Sequence, residues 1–440
     1  MIMPSGPDDR HSAARRALWR RARHAELCEP HVSDGEGAIL LPPDVLEGPG
    51  FLYRPRQILF ETGVMQTQPV ESELLKHGGS LDVQLSDRFG AAGLPIRAYL
   101  MPPEVYLPRL VAQLRERPYS EWDAPAANVS VNHVFCGEPG SYTGGPAGPP
   151  SSALPFPENY GQPAPGAPEI AVLDTGYDTQ IQTLHPGLEP PRVVYQPGPG
   201  SPENPLTPGG YLAQEAGHAT FIEGIIMQVA PQVRILQVQL LTPAGVTDDG
   251  CLALAISALG NSVPVINASL GGYTQGDIAP LASSAAIAAL PDSVVVVAAA
   301  GNNGSNEPFW PAAEKTVVAV GALDTTQGAP QVASFSDYGT WVDVYAPGKD
   351  VYSTYLQDNL MLPNGTAEWM DGWATWSGTS FAAPQVAAAI ADTLLGSGGT
   401  ARQAAHTVLS QAQWLPVTGF RGITGVMTYF PPGPGVIFPA

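Results

Sequence analysis

The sequence predicts a doubly wound α/β domain with a mostly parallel sheet, preceded by a small α+β domain. Three observations carry that expectation. Glu169–Asp174, Val233–Leu241, Val263–Leu270, Ser293–Ala300 and Thr316–Leu323 are near-continuous apolar, β-branched runs, the pattern of strands buried on both faces of a parallel sheet. Alanine-rich segments lie among them, Asp249–Gly260 and Asp277–Leu290, and suit the crossover helices that parallel strands need. Residues 137–168 are so rich in Gly, Pro and Ser that neither helix nor strand can persist through them, which marks a linker between two regions.

In chain order, residues 1–49 read as a basic, flexible segment. Arg10–Leu27 is arginine-rich and is not followed by the apolar core of a secretory signal. Residues 50–136 read as the small α+β domain. Arg56–Thr62 predicts a strand, Val70–Gly78 a helix, Asp82–Phe89 and Pro95–Met101 strands, Leu107–Arg117 a helix and Asn128–Phe135 a strand. That gives the order β-α-β-β-α-β, compatible with a split-βαβ sandwich. Residues 169–440 form the α/β domain.

Composition excludes several functions. A formal charge of −20 repels phosphate backbones and anionic membranes, so nucleic acid is not an expected partner. No run of about 18 apolar residues occurs, so no membrane span is expected. Cys28, Cys136 and Cys251 are few and far apart, unlike a disulfide framework or a metal site. With no secretory signal read, they point to the cytoplasm.

In open α/β sheets functional groups gather where strands end at their carboxyl edges. Asp174 closes an apolar strand in IAVLDTG; alone it reads equally well as a helix cap. His218, in AGHATFIEGII, sits among small residues and alone reads as a structural histidine. Asn302 follows a strand in AAAGNNG and alone is a turn asparagine. Ser380, in SGTSFAAP, stands at the start of a helix that is apolar all round, hence buried, and close to free backbone N–H groups. A serine cap would explain it as well. The set is more informative than its members. A serine nucleophile needs an imidazole to take its proton, and the imidazole needs a carboxylate to fix its tautomer.

These blocks, with VINASLGG, LHPGL (Leu184–Leu188), VVAVGALD (Val317–Asp324), SFSDYG (Ser334–Gly339) and VYAPG (Val344–Gly348), resemble the successive signatures of the subtilisin-like serine proteases, the subtilases. The resemblance runs from about residue 168 to 400. It implies a serine endopeptidase acting on protein or peptide substrates, with Ser380 as nucleophile, His218 as proton shuttle and Asp174 as its orienting acid. It further implies an oxyanion site from Asn302 and the Ser380 N–H. Ser269, Leu270 and Gly271 match the segment that pairs with an extended substrate, and Ala299, Ala300 and Gly301 match the opposite wall of the pocket for the residue before the cut. Sedolisins, which share the fold, carry a glutamate where this chain has His218. No cofactor is implied; structural calcium is common in the family, but no calcium ligands can be matched here.

The sequence departs from the family pattern in places. Ala219 replaces the usual glycine after the histidine, and Glu223 is either a surface position or a charge with a partner the sequence does not show. The loop Gly304–Lys315 is short, and its Glu307 reads as a solvated charge or as a selector of basic residues before the cut. Leu356–Trp373 looks like an insertion bordering the cleft. The N-terminal domain is either a propeptide that assists folding and inhibits, or a retained domain that binds a regulatory partner or substrate. Two rival readings remain, a protease-fold interaction protein with a closed cleft and an acyl-transferring peptide ligase.

Overall fold

The computed structural model describes residues 46–48, 50–63, 67–116, 128–137, 149–155, 158, 160–196, 206–207, 209–213, 215–242, 245–326, 328–362, 365–420 and 423–429. The basic segment before residue 46, with Cys28, and residues 138–148 of the linker lie outside them.

The N-terminal part comprises β1 (Leu46–Gly48), β2 (Phe51–Glu61), α1 (Thr67–Lys76), β3 (Ser80–Leu81), α2 (Val83–Ala91), β4 (Ile96–Leu100), α3 (Leu107–Glu116) and β5 (Val129–Gly137). One expected element differs. Asp82–Phe89 is not a strand but the first part of α2, because the Asp82 side chain caps the helix by accepting from Leu85 N–H at 3.1 Å. Val83 and Leu85 mimic strand alternation, yet Val83 is exposed and only Phe89 of this helix is buried. The expected order β-α-β-β-α-β therefore gains a helix between its two middle strands.

After the linker strand β6 (Ser151–Ser152) come β7 (Glu169–Asp174), β8 (Val193–Gln196), α4 (His218–Val229), β9 (Arg234–Gln239), β10 (Val246–Asp248) and α5 (Asp249–Leu259). Next are β11 (Val265–Ala268), β12 (Leu270–Gly271), α6 (Leu281–Ala288), β13 (Val295–Ala299), β14 (Val317–Asp324), β15 (Gln331–Val332) and β16 (Val344–Pro347). The chain closes with β17 (Val351–Met361), β18 (Ala367–Trp376), α7 (Thr379–Ser397), α8 (Ala401–Gln411), β19 (Gln413–Phe420) and β20 (Ile423–Tyr429).

The main sheet runs in the order β8-β9-β7-β11-β13-β14-β16-β20-β19. Every neighbouring pair up to β20 is parallel; β19 at the edge and β15, beside β14, are antiparallel. Alternation along each strand feeds two cores. Ile170 and Val172 join Val295 and Val297 in the core under α4, α7 and α8, whereas Ala171 and Leu173 join Val296 and Ala298 in the core under α5 and α6. Helices on both faces of a parallel sheet make this the doubly wound α/β class. Strand order reverses around β7, so its carboxyl end, Asp174, stands at the switch point.

The N-terminal part is seated against α5 and α6. Leu59, Phe89, Ile96 and Ala98 share a core with Leu252, Ile256 and Ala282. Arg54 Nε pairs with Asp248 Oδ2 at 2.7 Å, and Asn132 Oδ1 accepts from Gly250 N–H at 3.1 Å. Strand β5 then enters between β10 and β12, antiparallel to both, with Phe135 opposite Thr247 and Gly137 opposite Leu270. The segment Leu356–Trp373 forms the outer part of the β17–β18 hairpin, and β6 pairs with the edge of β18 at Ala374 and Thr375.

Candidate active site

Asp174, His218, Asn302 and Ser380 are all buried. Asp174 ends β7, and no helix starts at it. Its Oδ1 accepts from Thr175 N–H at 2.8 Å, and both carboxylate oxygens face His218 Nδ1, at 2.8 and 2.9 Å. An imidazole nitrogen between two carboxylate oxygens carries the proton, which leaves Nε2 as the basic nitrogen.

His218 opens α4. The residue before it, Gly217, has φ 77°, and a Cβ there would lie 2.9 Å from both Leu356 and Tyr355 of the hairpin, so glycine alone fits. The imidazole packs against Trp376 in a T-shaped contact and against Phe381 in a tilted one, each with a ring centroid 5.4 Å away. Phe381 directly follows Ser380, so α4 and α7 bring the histidine and the serine to one place.

Ser380 lies in the first turn of α7, where backbone N–H groups have no helical acceptor. Its Oγ donates to Ser269 O at 3.4 Å, and Ser269 Oγ donates to Ser380 O at 2.9 Å. This reciprocal tie fastens the serine turn to the end of β11. Asn302 follows β13 past Ala299, Ala300 and Gly301. Its Oδ1 accepts from Thr379 N–H at 2.8 Å and from Thr379 Oγ–H at 2.9 Å, while Thr379 Oγ in turn accepts from Gly301 N–H at 3.1 Å. The amide is thereby fixed in one orientation, with its Nδ2 hydrogens turned away from Thr379. Thr379 is the supporting residue that sequence reading left unassigned, although its place beside the serine in SGTS was a usable signal.

Leu270 and Gly271 form β12 and already pair with β5. Opposite them, Phe309 of the short loop touches both Gly271 and Gly301. Glu223 is not a surface residue. It is buried in α4, and burial, followed by the charge of Asp174, raises its carboxyl well above the usual value. Among the described residues its Oε1 has no hydrogen-bond partner. No group of three or more His, Cys, Asp or Glu side chains among the described residues is gathered to hold a metal ion.

A family model described as Peptidase_S8, Subtilase family, matches residues 167–425. The chain belongs to the subtilase family. Over 298 residues this subtilase is 35% identical to the thermophilic serine proteinase of Bacillus sp. (strain AK1), covering 66% of this chain and 66% of that protein. It is 35% identical over 189 residues to subtilisin DY of Bacillus licheniformis, covering 40% of this chain and 62% of that protein. Thermitase of Thermoactinomyces vulgaris is 33% identical over 255 residues, covering 57% of this chain and 83% of thermitase. The subtilase thus spans just under two thirds of the length of the first two relatives. The family match begins just ahead of β7 and leaves out the N-terminal part, which precedes it.

Proposed function

We propose that this subtilase is a serine endopeptidase that cleaves protein or peptide substrates through an acyl-enzyme, with its N-terminal part controlling access to the cleft. The observation that carries the reading is His218 Nδ1 set against both oxygens of a buried Asp174, beside a serine at a helix start. Ser380 Oγ attacks the scissile carbonyl carbon while its proton passes to His218 Nε2. The carbonyl electron pair moves onto oxygen, where Asn302 Nδ2–H and the Ser380 N–H stabilise it. Collapse expels the leaving amine, which takes the proton from His218. Water then attacks the ester, giving its proton to His218, and departure of the acid restores Ser380. Asp174 holds the imidazole in register and stabilises the imidazolium throughout.

Intact-mass spectrometry after exposure to a fluorophosphonate tests this. A single adduct on the wild type and none on Ser380→Ala is the expected result. An unlabelled wild type, even after prolonged exposure, removes the reading. Loss of the N-terminal mass in the same spectrum separates a cleaved propeptide from a retained domain.

The control element in this reading is β5. It lies antiparallel on β12 as a substrate strand would, and β10 closes its other edge. Its seating leans on Arg54 and Asp248. Burial alone would raise the Asp248 carboxyl, but the Arg54 charge and the Cys251 N–H bond hold it below the ordinary value. A depressed carboxyl contributes stability above its unfolded value and loses it as pH falls through the folded one, so acid weakens this contact. Arg54→Ala strands a buried charge, and we expect adduct formation on Ser380 to speed up about tenfold or more. Equal labelling rates for variant and wild type would argue against control by β5.

No helix among the described residues is long and apolar enough to cross a membrane. An intracellular setting belongs to the same proposal, supported by Cys251, whose thiol is in no disulfide.

A further inference from the structure

We propose that Phe309 closes the pocket for the residue before the cut, so that this protease cleaves after glycine, alanine or serine and rejects large side chains. The inference rests on the endopeptidase reading above and adds the substrate class.

The register of β5 shows where that residue falls. Gly271 stands opposite Cys136 and Leu270 opposite Gly137. A substrate strand laid in the same register brings its next residue opposite Ser269, whose carbonyl accepts from Ser380 Oγ. That residue lies two positions beyond the one opposite Gly271 and so faces the same side of the sheet. This side is occupied. Val134 and Cys136 point there into one apolar cluster with Val246, Tyr273 and Phe309.

Phe309 is fully buried and its ring fills the slot between the two walls. A Cβ built on Gly271 would fall 2.3 Å from Phe309 Cε1, and one on Gly301 would fall 3.0 Å from Phe309 Cγ. The ring thus lies against glycines of both walls, where the end of a long substrate side chain would have to go. It is also held there. Trp310, next in sequence, exchanges two backbone hydrogen bonds of 2.9 Å with Gly272. Tyr273 packs edge-on against the ring with centroids 5.3 Å apart, and Tyr273 O–H donates to Asp337 Oδ2 at 2.9 Å. Asp337 Oδ1 accepts from Asn303 N–H at 2.9 Å and Ser305 N–H at 2.7 Å, which fixes the start of the same loop. A large residue before the cut must therefore displace a pinned aromatic ring, whereas a small one fits in front of it.

The test uses the full-length chain, as wild type and with Arg54→Ala so that seating of β5 does not limit the rate. Peptides differing only in the residue before the cut (Gly, Ala, Ser, Leu, Phe) are compared by kcat/KM. Cut sites in a reduced, unfolded protein are mapped by mass spectrometry alongside. We expect the small residues to be favoured over Phe by about 100-fold or more. In Phe309→Ala the kcat/KM of the Phe and Leu peptides relative to that of the Ala peptide should rise at least about tenfold, and Phe309→Leu should fall between. The wild-type ordering is informative even if a variant misfolds. Cleavage after Phe or Leu as fast as after Ala overturns the inference while leaving the protease intact. If no peptide is cut and Ser380 takes no fluorophosphonate, the endopeptidase reading falls and the inference falls with it.

Discussion

Asp174→Asn is expected to lower kcat about 10⁴-fold while KM changes little and the protein stays folded. The reason lies in how the carboxylate is used. Oδ1 accepts from Thr175 N–H, so in the variant the amide oxygen occupies that position and the NH₂ group takes the place of Oδ2. There it faces His218 Nδ1, at the 2.9 Å now spanned by the second carboxylate contact. Two donors cannot share that contact. The imidazole shifts towards the tautomer with its proton on Nε2, which cannot accept from Ser380. Fold and substrate contacts are untouched, because β12 and the Asn302–Thr379 pair do not depend on the acid. Steady-state kinetics with circular dichroism as a control decide it. A variant that keeps a tenth of wild-type kcat would mean that Asp174 serves the fold rather than the proton transfer.

The parallel sheet was legible because its strands are buried on both faces. Runs such as SVVVVAAA have no polar alternation to misread, and the element that feeds Asn302 into the cleft is one of them. Asp82–Phe89 reads as a strand because Val83 and Leu85, one exposed and one half-buried, are spaced like strand residues and outweigh one capping aspartate. Asp174, His218, Asn302 and Ser380 could be nominated together because a serine nucleophile requires partners of those types. What they touch could not be read, since Thr379 reaches Asn302 and Phe309 reaches Gly271 and Gly301 only through the fold. The seating of β5 between β10 and β12 was equally hidden. It is a pairing between distant parts of the chain, and no local pattern in NVSVNHVF announces it.

Glu223 is the acid whose burial the sequence left open, and its environment leads to the second large effect. It sits in the helix that His218 opens, close enough to Asp174 for that charge to act on it. With burial and a like charge both opposing ionisation, the folded protein keeps a proton that the unfolded chain releases near the ordinary carboxyl value. The sign follows. A raised carboxyl stabilises the fold only at low pH, and stability falls as pH rises from the unfolded value towards the folded one. For a single group the slope is at most about 1.4 kcal/mol per pH unit. Glu223→Gln keeps the shape and removes the ionisation, so the variant should be the more stable protein at neutral pH, with a margin that widens with pH across this window. Asp178, Asp249 and Asp343 are also raised by burial, and they contribute to both proteins alike. The difference between the two urea denaturation series, measured from pH 5 to pH 8, therefore isolates Glu223. Parallel curves would show that its carboxylate finds solvent or a partner in the folded state. A widening gap with kcat unchanged would show that the protein holds a neutral acid close to Asp174, where ionisation would set a second negative charge beside it.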